Sequence, residues 1–137
     1  MSKTAPIRTL ARVGAIGAAA ALATTASAAN GPELAMLDSL VKGSWTLRIR
    51  DDGSQQRICV RSGQEFIQLR HTQPGCSRFV VKDTAEEVVV QYTCRGNGYG
   101  RTSIRREGNG LVQIQSQGII DGAPFAISGE ARHAGSC

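Results

Sequence analysis

Two hydrophobic periods divide the chain. Between Gly31 and Lys42 the apolar residues Leu34, Leu37, Leu40 and Val41 recur at helical spacing, with Pro32 suited to a first turn and Gly43 to the stop. This predicts one short amphipathic helix. From Trp45 onward the period is two, and turn signals arrive every eight to twelve residues. Strands are expected to begin near Trp45, Gln56, Ser77, Glu87, Tyr99, Leu111 and Ala123, with a less regular stretch from Ser62 to Gly75.

Turn length fixes which side chains share a face, so each predicted hairpin can be checked for a single apolar side. A two-residue turn at Asp52-Gly53 pairs Ile49 with Gln56, Leu47 with Ile58 and Trp45 with Val60. A turn at Thr84-Ala85 pairs Val81 with Val88 and Phe79 with Val90, and puts Tyr92 and Cys94 on the same apolar face. Three-residue loops at Gly96-Asn97-Gly98 and Gly108-Asn109-Gly110 align Val90, Ile104 and Ile114 across three strands. Asp121-Gly122 pairs Ile120 with Ala123, Gly118 with Phe125, Ser116 with Ile127, Ile114 with Gly129 and Val112 with Ala131. The expected fold is all-β, an up-and-down antiparallel meander of about seven strands with one short N-terminal helix. Its apolar face is buried either in a small closed barrel or in a sheet curled around the helix. No crossover is long enough for parallel βαβ units.

Ahead of this pattern, Lys3, Arg8 and Arg12 precede an apolar run from Val13 to Ala23 and an Ala26-Ser27-Ala28 motif, the three parts of a cleavable secretory signal. The run is too short, and too rich in Ala and Gly, for a bilayer span. The expected organisation is a signal peptide over 1–28, a linker and helix over 29–43, and a β domain over 44–137, exported to the periplasm and not membrane-spanning after cleavage. Cleavage removes three of the 16 Lys and Arg and none of the 11 Asp and Glu, so the net charge falls from +5 to +2. That value, with no basic run interleaved with aromatics, argues against nucleic acid as a partner.

All four cysteines, Cys59, Cys76, Cys94 and Cys137, lie in the β domain, where an even count in a short exported chain reads as a disulfide framework. Zinc requires close ligand pairs, and the spacings of 17, 18 and 43 supply none. Spacing alone leaves three connectivities open. Strand parity turns Cys59 and Cys76 outward and Cys94 and Cys137 inward, which favours Cys59–Cys76 and Cys94–Cys137.

Gly43-Ser44-Trp45, the Arg57-Ile58-Cys59-Val60 strand, Tyr92-Thr93-Cys94-Arg95-Gly96-Asn97-Gly98 and the closing Gly135-Ser136-Cys137 together resemble a family of small exported bacterial proteins, the domain of unknown function (DUF) 3617 family. The resemblance runs over essentially the whole chain after the signal. Its motifs are a buried Trp, disulfide partners and glycine turns, so it implies export and fold and carries no catalytic residue or ligand.

The candidate chemistry is that of a binding surface. The first hairpin places Arg48 across from Arg57 on the solvent face with Arg50 and Arg61 near, a repulsive arrangement that invites an anion between them. On the outer face of the later strands Arg101, Ser103 and Arg105 lie beside Gln91, Gln113, Gln115 and Gln117, a flat polar lattice able to hydrogen-bond a sugar. Tyr99, between two glycines, is expected at a loop tip, where aromatics serve recognition. The candidate binding surface is therefore Arg48, Arg57, Arg61, Tyr99, Arg101 and Arg105, for an anionic envelope glycan or a protein partner. No catalytic, cofactor or metal residue is assigned. His71 and His133 are expected as exposed loop and tail residues outside any nucleophile motif. The expectation is a non-enzymatic periplasmic β domain with a binding or envelope-maintenance role. A lipocalin-like carrier of an apolar ligand inside a closed barrel, filled or not by Trp45, Phe79, Tyr92 and Phe125, and an inhibitor of an envelope hydrolase are the rivals.

Overall fold

The computed structural model describes residues 33–137. The signal segment 1–28 and Pro32 lie outside the described residues. Strands β1 (Gly43–Ile49), β2 (Gln55–Val60), β3 (Ser77–Asp83), β4 (Glu87–Cys94), β5 (Gly98–Gly108), β6 (Leu111–Ile120) and β7 (Ala123–Gly135) follow one short helix, α1 (Ala35–Asp38). All pairings are antiparallel, and the order is β2-β1-β7-β6-β5-β4-β3. The meander is therefore open between β2 and β3, consecutive in the chain, while β1 is paired with β7.

The seven strands curl around α1 and the stretch over 61–76. That stretch carries a 3-10 turn (Gln64–Phe66) and brings Phe66, Ile67 and His71 into the interior. Leu34, Met36, Leu37 and Leu40 of the helical segment are buried with Trp45, Leu47, Val60, Val88, Val90, Tyr92, Ile104, Val112 and Ile114 from the inner face of the sheet. Val41 stays exposed. The helix is a single turn rather than the longer element the apolar spacing suggests, because Leu34 takes a left-handed conformation immediately before it. The Leu34 N–H is held by Asp83 Oδ2 at 2.8 Å.

The β6–β7 register is as expected, from Ile120 opposite Ala123 to Val112 opposite Ala131, and Ile104 faces Ile114. Elsewhere the turns differ. Ile49 donates to Ser54 O, so the first loop spans 50–53, with Asp52 accepting the Ser54 N–H and Gly53 at φ 71°. Trp45 consequently faces Ile58 and Leu47 faces Gln56. The β4–β5 loop is Arg95-Gly96-Asn97, which sets Val88 against Ile104. Both shifts are of two residues, so the faces are preserved.

Two β-bulges change the phase and correct the disulfide pairing. In β3 the register slips at Val81, between Val80 opposite Val90 and Lys82 opposite Val89. Val80 therefore turns inward, whereas Phe79 is 69% exposed and Val81 also faces solvent. The same slip, one residue per bulge, brings Cys76 opposite Cys94. In β7 the register slips at Ala134, between Ser44 opposite Gly135 and Trp45 opposite His133. Gly43 and Gly135 both have positive φ there, and a Cβ on Gly43 would lie 2.2 Å from Gly135 O. Cys137 is thereby turned to the outer side with Cys59. The bridges are Cys59–Cys137 and Cys76–Cys94, with Cα separations of 5.7 and 4.3 Å, not the pairs that unbroken alternation favours. Among the described residues no helix is long and apolar enough to cross a membrane.

Candidate functional site

The pairings arrange the outer face into rows that run across the strands. One row reads Gln55, Arg48, Glu130, Gln113, Arg105, Glu87 from β2 to β4. Arg48 thus lies between Gln55 and Glu130, and Arg57 lies opposite Thr46. The Arg48–Arg57 juxtaposition does not occur, because the four-residue turn moves β2 by two positions. Arg61 is exposed beyond the end of β2, its N–H donated to Glu65 Oε1 at 3.0 Å. Burial pushes the Glu65 carboxyl pKa up, but backbone N–H donors of its own residue and of Arg61, Ser62 and Gly63 outweigh that and leave it lowered.

From Glu130 to Glu87 in this row the polar groups satisfy one another, while the Gln55 and Arg48 side chains have no partner among the described residues. Glu130 accepts from Arg132 at 2.5 Å and from Gln113 at 2.9 Å, Arg50 donates to Ser128 and Gln113, and Arg105 donates to Glu107. Ser103 and Lys82 both donate to Glu87. Hydrogen bonds from Gln113 and Arg132 hold Glu130 below the usual carboxylate range, and those from Lys82 and Ser103 do the same for Glu87. Folded-state values below the unfolded ones mean that this stabilisation is present above the ordinary carboxylate pKa and lost as pH falls through the lowered values.

Farther along the same strands the chemistry is different. The next rows are Gln115 with Ser103, then Ala126, Gln117, Arg101, Gln91, Phe79, then Pro124, Ile119, Tyr99, Thr93, Ser77. Among the described residues the side chains of Gln91, Arg101, Gln115 and Gln117 have no hydrogen-bond partner, and Arg101 has no ion pair. A shallow groove of about 340 Å³ lies here, lined in part by Asp51, Arg101, Ser103, Gln115 and Gln117. Tyr99 is not at a loop tip but near the start of β5, directed outward and 51% exposed. The structure therefore brings together Tyr99, Arg101 and the glutamines, and separates them from Arg57 and Arg61. Phe79, assigned to the interior by alternation, joins them on the outer face. The signal that places it there is the bulge, legible only once Cys76 is known to face Cys94.

On the inner face, His71 is 0% exposed rather than a surface loop residue. Its Nε2 lies 3.2 and 3.1 Å from the carbonyl oxygens of Asn97 and Ile119, so Nε2 carries the proton, and Nδ1 accepts from the Tyr92 hydroxyl at 3.0 Å. Burial raises the Tyr92 pKa, with Ser116 opposing. A Cβ on Gly100 would come within 2.4 Å of the Tyr92 hydroxyl, so glycine there admits the ring. Thr102 and Ser116, bonded at 2.8 Å, complete a polar cluster shut away from solvent. His133, half-buried in β7, meets the Trp45 ring edge-on at 6.0 Å. The His71 cluster ties the 61–76 stretch to β4 and β6. His71→Leu removes a hydrogen-bond partner from three polar groups, of which the Asn97 carbonyl still accepts the Asp121 N–H, and should lower the unfolding free energy by about 3 kcal/mol. Adding Tyr92→Phe should cost less than on the wild type, since one orphan is removed. Additive urea-melt losses would contradict this arrangement.

Among the described residues there is no cluster of three or more His, Cys, Asp or Glu side chains able to hold a metal ion. No family model, curated protein or solved structure matches this chain.

Proposed function

We propose that this chain is a non-enzymatic binding domain exported to the periplasm, and that its working surface is the outer face of β4 to β7 rather than its interior. The observation that carries this reading is the contrast between two ends of one face. Around Glu130 and Glu87 the cations Arg50, Lys82, Arg105 and Arg132 have internal partners and, among the described residues, Arg48 alone has none, whereas neither Arg101 nor any of its flanking glutamines has one. Unpartnered donors and acceptors fixed on a rigid sheet are preorganised for a ligand at little ordering cost. The inner face supports the same choice. Trp45, Phe66, Tyr92, Leu37 and Ile104 fill it, and the space inside small sheets is commonly taken by such side chains rather than by a carried molecule. Export is supported by the signal-like segment 1–28, by the two disulfides and by the resemblance to the DUF3617 family.

The test is capture from periplasmic extract on immobilised protein. Wild-type chain should retain an extract component that Arg101→Glu with Gln117→Glu releases, while Trp45 fluorescence stays insensitive to fatty acids and other apolar ligands. Equal retention by the variant, or saturable quenching by an apolar ligand, would reject the outer-face reading.

A further inference from the structure

Resting on that reading, we infer that the outer-face site takes an anionic oligosaccharide, its sugar rings stacking on Phe79 and Tyr99 and a uronate carboxylate bound by Arg101. Phe79 is the most exposed large apolar residue of the described chain at 69%, and Tyr99 follows at 51%. They stand on β3 and β5, separated by β4 and offset by two positions along it, since Phe79 faces Gln91 and Tyr99 faces Thr93. Strand spacing and rise put them about 12 Å apart. That is the span of a short saccharide, with a polar row between.

The residues between the rings define the ligand. Gln91, Arg101 and Gln117 face one another across β4, β5 and β6, all exposed. Each amide offers both a donor and an acceptor, matching neighbouring sugar hydroxyls, and the guanidinium offers a planar fork that fits a carboxylate. The cross-strand neighbours of Arg101 are Gln91 and Gln117, and along β5 it is followed by Ser103 and preceded by Tyr99, so no acid neutralises it from the sheet. The one carboxylate lining the groove, Asp51, comes from the β1–β2 loop and makes no ion pair with Arg101. Arg105 and Arg132, by contrast, are bonded to Glu107 and Glu130.

A protein partner fits less well. Protein interfaces have an apolar centre and a polar rim, and here the order is inverted, with the cation and amides central and the aromatics marginal. An extended peptide would add to a free strand edge, but β4, β5 and β6 are paired on both sides and present only side chains, and the free edge of β3, which carries Phe79, is interrupted by the bulge at Val81.

The probes are a galacturonate hexamer and a neutral maltohexaose, titrated into 15N-labelled protein with its disulfides intact. The galacturonate hexamer should move amide signals of 91, 99, 101 and 117, and the neutral hexamer should bind at least about tenfold more weakly. Arg101→Gln should weaken the acidic hexamer roughly tenfold, and Phe79→Ser and Tyr99→Ser about threefold to tenfold each. Arg57→Gln, the same charge loss away from the site, should change it less than twofold. All four substitutions are at exposed positions, and unchanged urea midpoints verify the fold. Equal binding of the two hexamers, or equal loss in Arg57→Gln and Arg101→Gln, would overturn the anionic-sugar assignment. If neither hexamer binds while the Arg101→Glu, Gln117→Glu variant still loses its extract component, the ligand class is wrong and the outer-face reading stands. If that component is a protein, the inference is likewise overturned.

Discussion

Replacing Cys59 and Cys137 together with alanine is expected to lower the unfolding free energy by about 4 to 5 kcal/mol. The bridge closes a loop with a sequence separation of 78, against 18 for Cys76–Cys94, and the chain-entropy argument assigns about 4.5 kcal/mol to the first and about 3 kcal/mol to the second. Set against a total of about 5 to 15 kcal/mol for a domain of this kind, the first loss alone brings the chain close to unfolding at room temperature. The entropic effect is compounded by position. The bridge fastens β2, an edge strand, to the end of β7 next to the bulge at Ala134. Urea melts of the double variant under oxidising conditions, with the Cys76→Ala, Cys94→Ala variant beside it, measure both. A midpoint that falls less for the first variant than for the second would contradict the ranking by loop length, although burial of Cys94 in the core adds to the cost of the second.

Trp45→Ala should cost a further 3 to 5 kcal/mol in an otherwise native chain. Trp45 is fully buried, its indole Nε1 donates to Val41 O at 2.8 Å, and its ring meets Phe66 edge-on at 5.4 Å. One side chain therefore joins β1, the end of the helical segment and the 61–76 stretch. Trp45→Phe keeps an aromatic edge for Phe66 but leaves the Val41 carbonyl unpaired, so about 1 to 2 kcal/mol is expected from it. Thermal or urea unfolding followed by far-ultraviolet circular dichroism, which does not depend on the indole, distinguishes the two. A loss below 1 kcal/mol in Trp45→Ala would place the ring outside the core.

The strand pattern was legible because alternation and turn chemistry agree over most of the chain. All seven strands begin within two residues of the expected positions, and the β6–β7 register follows from Asp121-Gly122 alone. The disulfide pairing was not legible, for one physical reason that acts twice. Alternation propagates a face assignment only while the pairing is regular, and a bulge inverts it with no compositional mark of its own. Val81 sits in a uniform apolar run, Phe79-Val80-Val81, that fits either phase. Ala134 is preceded by a histidine that alternation leaves ambiguous, and only the glycines at 43 and 135 hint at the close approach there. The candidate site inherited the same split. Arg101 and the glutamines were placed correctly because the one slip between Gln91 and Gln117, at Glu107, lies beside a tighter turn than expected and the two together keep Ile104 opposite Ile114. Arg48 and Arg57 were paired wrongly because Asp52 prefers to cap Ser54 in a longer loop. The burial of His71, expected as an exposed loop residue, was not legible because the 61–76 stretch has no period from which burial could be read.

The opening between β2 and β3 has one more consequence. A sheet that ends in two strands leaves two rows of main-chain groups able to recruit strands from other molecules. Here both rows flank the same gap, and the chain that links them supplies its own seal. Gln64 and Gln68 of the linking stretch bind the Arg78 guanidinium of β3 at 2.8 Å each, and the bulge at Val81 interrupts the regular ladder that a foreign strand would need. Self-association through strand addition is thereby opposed without closing the barrel, and the stretch that blocks it is the one whose Phe66 and His71 build the interior.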